Sequence, residues 1–275
     1  MFGVMQGRLS KSLTGKIQEF PSLTWQEEFK LANSIGIKAI EWTLDLKDFK
    51  ENPIFKLKQV VSDLQSEFQV KVPSITLDCF VEAPIHKRNE TTGSVSSPRE
   101  LEWIAESLQG TGVDILVLPI VAEAGKFSSE DLDNLIHVLN AIEGSLKSLG
   151  KRIAIECEFD LISMSHLLAE LDRHTFGINF DMGNSASLGH NPWNELEVCK
   201  DRIFNVHIKD RLVNGHTVPL GSGSVQFWDV ANALASQNYS GNMILQAARL
   251  FDRDEVEQIC TYTDFCRELG WVNNE

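Results

Sequence analysis

The 275-residue sequence is poor in positive charge. Lys and Arg total 25 against 39 Asp and Glu, a formal charge of −14. That balance opposes nucleic acid and anionic membranes as partners, since both reward a positive face. Cysteine is sparse. Cys79, Cys157, Cys199, Cys260 and Cys266 are odd in number and form no Cys-x-x-Cys. Neither a disulfide framework nor a zinc knuckle is indicated, and a reduced cytoplasmic location is expected. No apolar run approaches the roughly 18 residues of a membrane span. The opening Met1–Arg8 has no basic segment leading into an apolar run, so no secretory signal is expected. No Gly-x-Gly-x-x-Gly follows the first candidate strand, which speaks against a dinucleotide-binding open sheet. The metal motif His-Glu-x-x-His is also missing.

What the chain does contain is alternation. Short runs rich in Ile, Val, Leu and Phe recur at Gly3–Gln6, Ala39–Trp42, Val72–Leu77, Ile115–Ile120, Ile153–Cys157, Gly177–Phe180, Ile203–Ile208 and Met243–Gln246. Runs of four to six such residues suit strands buried on both faces of a parallel sheet. Amphipathic segments separate them. Thr24 and Glu27 have the spacing of a capping box, Pro53 suits a first helical position, and Ser97-Pro98 and Ser129 open further helices. Leu132, Leu135, Ile136, Leu139, Ile142, Leu146 and Leu149 form a stripe at helical spacing that Gly150 ends. Weaker helices are expected at Ser163–Arg173, Trp193–Lys200 and Trp228–Ser236, and a last one near Glu255–Leu269. Eight strand–helix units in a chain of this length predict one closed (β/α)₈ barrel, a TIM barrel occupying the whole chain as a single domain. The polar stretch Asn89–Ser96 after strand three reads either as an active-site loop or as a plain solvated one.

Barrel enzymes carry their chemistry just after the strands' C-terminal ends. Strand five ends in Glu156-Cys157-Glu158, and strand six in Asp181-Met182-Gly183-Asn184. Strand seven ends in His207-Ile208-Lys209-Asp210, and strand eight in Gln246 and, further on, Arg249. Carboxylates buried at such ends need partners. One divalent cation would satisfy them together, and mutual hydrogen bonding with water is the plainer alternative. A Glu, an Asp, a His and an amide suit Mn²⁺, Mg²⁺ or Co²⁺, and Zn²⁺ accepts the same atoms.

Several motifs carry a family resemblance. They are Met5-Gln6-Gly7-Arg8-Leu9, Ile40-Glu41-Trp42, Phe180-Asp181-Met182-Gly183-Asn184, His207-Ile208-Lys209-Asp210, Pro219-Leu220-Gly221-Ser222-Gly223 and Gly241-Asn242-Met243-Ile244-Leu245. In this order they resemble the xylose isomerase-like barrel superfamily, in its sugar phosphate isomerase/epimerase branch, over nearly the whole chain. The resemblance implies one divalent metal held by Glu156, Asp181 and His207, with Gln246 where the family has a second glutamate. Glu158 is a reserve ligand or a supporting group. Asn184 falls where sugar epimerases of the superfamily commonly carry a substrate-binding histidine. The loop Gly221-Ser222-Gly223 lacks the acidic residue that relatives often carry between the glycines.

Inversion next to a carbonyl removes a proton from one face and returns it to the other, and relatives use two opposed glutamates for this. Gln246 cannot act as a base near pH 7. The sequence therefore tilts from a two-base epimerase towards a one-base isomerase, with proton transfer through a metal-stabilised enediolate. In that reading Glu156 is the acid/base and Lys209 assists. The substrate side is assigned to Gln6, Arg8, Glu41, Glu158, Asn184, His190, Asp210, Arg211 and Arg249. The substrate is a small sugar or sugar phosphate. Arg8, Arg211 and Arg249, with the N–H groups of Gly221–Gly223, offer a phosphate quadrant. The alternatives are a catalytically silent sugar-binding or regulatory barrel, because of Gln246, and, remotely, an abasic-site nuclease resembling endonuclease IV. A homo-oligomer is compatible with the chain.

Overall fold

The computed structural model describes residues 1–12, 14–87, 98–120, 127–250 and 252–272. The Asn89–Ser96 stretch lies outside them. Eight parallel strands close into a barrel: β1 (Phe2–Met5), β2 (Ile40–Thr43), β3 (Ser74–Thr76), β4 (Ile115–Ile120), β5 (Arg152–Cys157), β6 (Phe176–Asp181), β7 (Ile203–Ile208) and β10 (Asn242–Leu245). Each strand pairs with its sequence neighbours in the barrel, and β10 closes the ring on β1 through Phe2↔Met243, Gly3↔Ile244 and Val4↔Leu245. The sequence segments differ from these strands only at their ends, and Ile115–Ile120 and Ile203–Ile208 coincide with β4 and β7.

The connecting helices are α1 (Trp25–Ser34), α2 (Pro53–Lys56), α3 (Lys58–Phe68), α4 (Cys79–Glu82), α5 (Pro98–Ser107) and α6 (Ser129–Leu149). They continue with α7 (Leu161–Glu170), α8 (Met182–Ser187), α9 (Pro192–Cys199), α10 (Phe227–Ser236) and α11 (Glu255–Glu268). No helix among the described residues is long and apolar enough to cross a membrane. The Leu/Ile stripe of α6 buries Leu135, Leu139, Ile142 and Leu146 against the barrel. Each such side chain contributes about 1.5–3 kcal/mol relative to exposure. Gly150 then takes the left-handed conformation (φ 64°) that ends the helix.

Capping corrects one expectation. Thr24 and Glu27 do not form a capping box. The Thr24 backbone (φ −129°, ψ 4°) is not extended, and the Glu27 N–H donates instead to the Thr24 carbonyl at 2.9 Å. A box forms instead at Ser128 and Asp131, at the start of α6, which Ser129 opens as expected.

A bulge sets the phase of β7. Ile178 pairs with Ile203, but Asn179 pairs with Asn205, so Phe204 is the extra residue. Phe204 packs with Ile115, Val117 and Ala154 in the small apolar plug inside the barrel. Asn205 and His207 also point inward, beside Asn179 and Asp181 of β6. Two consecutive inward side chains are what a bulge permits. Gly177 makes room for them: a Cβ there would lie 2.3 Å from the Arg202 carbonyl and 2.7 Å from the Phe204 ring.

Candidate functional site

Inward-facing residues of a strand recur at every second position. Glu41 on β2, Ser74 and Thr76 on β3, Asn179 and Asp181 on β6, and Asn205 and His207 on β7 therefore share the barrel interior. They meet there. His207 is fully buried, with Nε2 2.7 Å from Glu41 Oε1. Glu41, also fully buried, accepts hydrogen bonds from Ser74 Oγ (2.6 Å), Thr76 Oγ1 (2.6 Å) and Asn205 Nδ2 (2.8 Å). Asn205 Nδ2 also donates to Asn179 Oδ1 (2.8 Å), and Asn179 Nδ2 donates to Glu156 Oε2 (3.0 Å). His207 Nδ1 lies 3.1 Å from that same Glu156 oxygen. The ring closes: Glu156, Asn179, Asn205, Glu41, His207 and back to Glu156.

This ring fixes the imidazole. Glu41 holds Nε2, so Nδ1 is directed at Glu156 and, 4.0 Å away, at Asp181 Oδ2. No hydrogen bond of standard geometry satisfies Nδ1 among the described residues, although it sits 3.1 Å from Glu156 Oε2 as an electrostatic partner. One ligand atom each from Glu156, Asp181 and His207 lie within 4.8 Å of one another. A buried nitrogen left over, with two carboxylate oxygens facing it, is a donor set that fits a divalent cation. Protonated, the same ring is an ion-pair partner. Burial pulls its pKa down, but Glu41 and Glu156 outweigh that and push it up to about 10. Glu156 shows the reverse balance: burial raises its pKa, the charged His207 ring outweighs burial, and the result is a lowered value. A proton and a metal ion would compete for Nδ1.

The remaining strand-end groups build outward from this floor. Asp181 Oδ1 caps α8 by accepting the Asn184 N–H (2.9 Å), which leaves Oδ2 for Lys209 Nζ (2.8 Å). Lys209 also donates to Gln246 Oε1 (3.3 Å). Asn184 Nδ2 donates to Glu156 Oε1 (3.2 Å), and Asn184 Oδ1 accepts from Arg211 Nη1 (2.7 Å), which also pairs with Glu158 (2.6 Å). Glu156, Glu158, Asn184, Lys209, Arg211 and Gln246 all line one cavity of about 1090 Å³ at the strands' C-terminal ends. Its described lining carries eight Asp or Glu against four Lys or Arg, an excess of four negative charges.

Several sequence candidates do not line that cavity. Glu41 sits beneath His207, spent on four partners. Gln6 is fully buried at the end of β1 and accepts the Thr43 N–H through Oε1 (3.1 Å). His190 faces Glu195, with Nδ1 3.4 Å from its carboxylate. The phosphate quadrant does not assemble. Arg8 is buried and donates to the carbonyls of Ala247 (3.1 Å) and Ile17. Burial and its neighbour Arg249 pull the Arg8 pKa down to about 9. Arg249 donates to the carbonyls of Ile17 (3.2 Å), Ser10 (2.8 Å) and Gly7. Both arginines tie the loop after β1 to the end of β10. The glycine loop is likewise occupied. Asp210, in the short antiparallel ribbon of β8 (Asp210–Arg211) and β9 (Thr217–Val218), accepts the N–H groups of Gly221 (3.0 Å), Gly223 (2.8 Å) and Val225 (3.1 Å). Those donors face a carboxylate inside the protein.

Sequence reasoning passed over Ser74, Thr76, Asn179 and Asn205. The available signal was the two-residue step: Asn179 precedes Asp181, and Asn205 precedes His207, by one period of a strand.

A search of curated protein sequences finds no match. Among solved structures, the chain resembles the IOLI protein with a bound zinc atom (14 % identity, TM-score 0.77, 99 % of each chain). It also resembles D-allulose 3-epimerase from Methylomonas sp. in complex with D-allulose (15 %, 0.74, 97 % of this chain and 96 % of that one). A third is 3-keto-D-glucoside 4-epimerase, YcjR, from E. coli (18 %, 0.73, 97 % and 98 %). At such identities the likeness shows the fold. The family model described as xylose isomerase-like TIM barrel matches residues 29–263. With the closed eight-stranded barrel, that match over most of its length places the chain in the xylose isomerase-like TIM barrel family.

Proposed function

We propose that this chain is a divalent-metal-dependent isomerase or epimerase of a small, unphosphorylated sugar. One observation carries the reading. Buried behind Glu156, which lines the cavity, His207 Nδ1 is fixed by Glu41 and left without a hydrogen bond of standard geometry between Glu156 and Asp181. Glu156, Asp181 and His207 would hold the ion, with the Gln246 amide oxygen as a fourth donor, and the set accepts Mn²⁺, Mg²⁺, Co²⁺ or Zn²⁺. Such an ion supplies positive charge where negative charge develops on adjacent sugar oxygens.

The chain's own groups do the rest. Glu156 takes the proton from the carbon next to the carbonyl. Asn184, through its bond to Glu156 Oε1, holds that carboxylate in place. Lys209 neutralises Asp181 and presents an ammonium to the cavity, where it donates to a sugar oxygen. Arg211 and Glu158, paired at the rim, offer a donor and an acceptor to sugar hydroxyls. A neutral substrate is supported by the acidic lining and by the employment of Arg8, Arg249 and the Gly221–Gly223 amides within the protein. The resemblance to sugar epimerases supports the reaction class. A silent sugar-binding barrel is the competing reading, favoured by Gln246 in place of a base.

The test uses chelator-treated protein, titrated with MnCl₂ by calorimetry and then incubated with D-fructose or D-allulose in D₂O. One Mn²⁺ per chain and loss of a C–H proton signal from the ketose are expected. Metal binding without exchange would favour the silent barrel. The absence of both metal binding and exchange would overturn the proposal.

A further inference from the structure

The proposed reading, on which this inference rests, leaves Glu156 as the one carboxylate placed to move a carbon-bound proton. Inversion needs a second proton carrier on another side of the substrate, and Gln246 is an amide that carries none near neutral pH. The cavity holds a further carboxyl, tied to the Gln18 side chain but left with one buried oxygen unpartnered. Asp78 lies two residues beyond the end of β3, at the N-cap position of α4. An aspartate there ordinarily accepts an N–H from the first turn. The Asp78 side chain makes no such bond. No ion pair involves it among the described residues, and its buried Oδ2 has no hydrogen-bond partner. It lines the same cavity as Glu156, Lys209 and Gln246.

The position suits a partner to Glu156. In the barrel order β3 and β5 are separated only by β4, whose Pro119 lines the cavity between them. Asp78 and Glu156 therefore reach the cavity from two separate strands with one strand between them. A dry, unpaired carboxylate oxygen is costly, and only a proton or a donor from a ligand relieves it. The charged surroundings favour the proton. Burial raises the Asp78 pKa most, and Asp45 after β2 and Glu156 on β5 add to it. The Gln18 amide and the His207 ring oppose them, and the outcome is about 7. Arg8, buried in the loop after β1, is a further cation within electrostatic reach, and Lys16, Lys47, Lys209 and Arg211 share the cavity wall. The Cys79 thiol next to it is buried and pushed far above its usual range, so it stays neutral.

We propose that Asp78 is the second proton-transfer residue of this site, the acid that delivers a proton to the face of the reacting carbon away from Glu156. Glu156 breaks the C–H bond and becomes a carboxylic acid, while the electron pair moves through the new C=C bond onto the carbonyl oxygen. The Asp78 O–H bond then breaks, its proton forms the new C–H bond on the other face, and the carbonyl reforms. Asp78 is left as a carboxylate, and exchange with water resets both carboxyls. Inversion next to the carbonyl, rather than transfer along one face, is the reaction this pair performs.

The experiment uses the full chain with Mn²⁺ in D₂O and the C3-epimeric pair D-fructose and D-allulose as probes. Wild type, Asp78→Asn and Asp78→Glu are compared by proton NMR for C3–H exchange and for interconversion. Wild type is expected to interconvert the ketoses, with deuterium at C3 of the product. Asp78→Asn is expected to lower interconversion by about 100-fold or more, the usual worth of a positioned acid. Exchange at C3 without inversion should persist within several-fold, because Glu156 returns deuterium to the face it came from. Asp78→Glu should restore part of the interconversion. The limb near pH 7 in kcat/KM should disappear in Asp78→Asn. Interconversion within about threefold of wild type in Asp78→Asn, with that limb intact, overturns the inference, as does exchange without inversion by wild type. In both cases the proposed function stands. If wild type neither exchanges nor interconverts the ketoses, the proposed function fails and this inference falls with it.

Discussion

Asp78→Asn should make the protein more stable at pH 8, although it removes a group from the candidate site. In the folded chain the Asp78 carboxyl titrates at about 7, against an ordinary value of 3.8, chiefly because it is buried. Between pH 4 and 7 the unfolded chain has released this proton and the folded chain has not. The folded state then binds more protons, so stability falls as pH rises through that window. Below it both states are protonated and the penalty vanishes. Above it both are ionised and the penalty is complete. Roughly three pKa units at about 1.4 kcal/mol each set an upper bound of about 4 kcal/mol. Asp78 is only half-buried as a residue, and water at its edge trims this to about 2–3 kcal/mol. The assay is urea unfolding of both proteins in chelator at pH 4.5, 6 and 8, with the m-value checked for constancy. The gain from Asp78→Asn should be near zero at pH 4.5 and largest at pH 8. A gain that does not change with pH, or a loss at pH 8, would refute the reasoning that Asp78 is held protonated by its surroundings.

Three further outcomes are expected. Asp181→Ala should abolish Mn²⁺ binding in calorimetry while the far-ultraviolet circular dichroism is retained, at a cost of about 1 kcal/mol for the lost α8 cap; unchanged metal stoichiometry would remove Asp181 from the site. Asp210→Ala leaves the N–H groups of Gly221, Gly223 and Val225 without their acceptor; it should cost about 2–4 kcal/mol in urea unfolding, and a cost under 0.5 kcal/mol would show that water replaces the carboxylate. Arg249→Met removes three hydrogen bonds to carbonyls and should lower the melting temperature by several degrees; if it instead left stability intact and weakened binding of inorganic phosphate, followed by phosphorus NMR, the structural role given to Arg249 would be wrong.

The eight strands were legible because parallel barrel strands are buried on both faces and read as short apolar runs. Val4, Ile40, Ile75, Leu116, Ile155, Ile178, Val206 and Leu245 are all essentially buried, one from each barrel strand. Glu156, Asp181 and His207 were legible too, since a polar residue closing such a run is conspicuous. Their grouping required the barrel. His207 and Glu41 are 166 positions apart, and only closure through β1 and β10 brings β7 to face β2. Equally invisible was the bulge at Phe204, which depends on Gly177 of the neighbouring strand.

The sequence by itself determined the alternation, the barrel and the short list of polar strand ends, because those depend on local periodicity and burial. The tertiary structure decided how each charge is used. Arg8 and Arg249 have the residue type of a phosphate site, but they donate to backbone carbonyls of loops distant in sequence, and Asp210 takes up the glycine-loop N–H groups. Asp78 has the residue type of a helix cap, but it caps nothing, and one of its buried oxygens is left without a partner beside the cavity. A side chain's chemistry is written in its name. Its partner is fixed only when the folded backbone brings donors and acceptors within about 3 Å, and no periodicity records that distance.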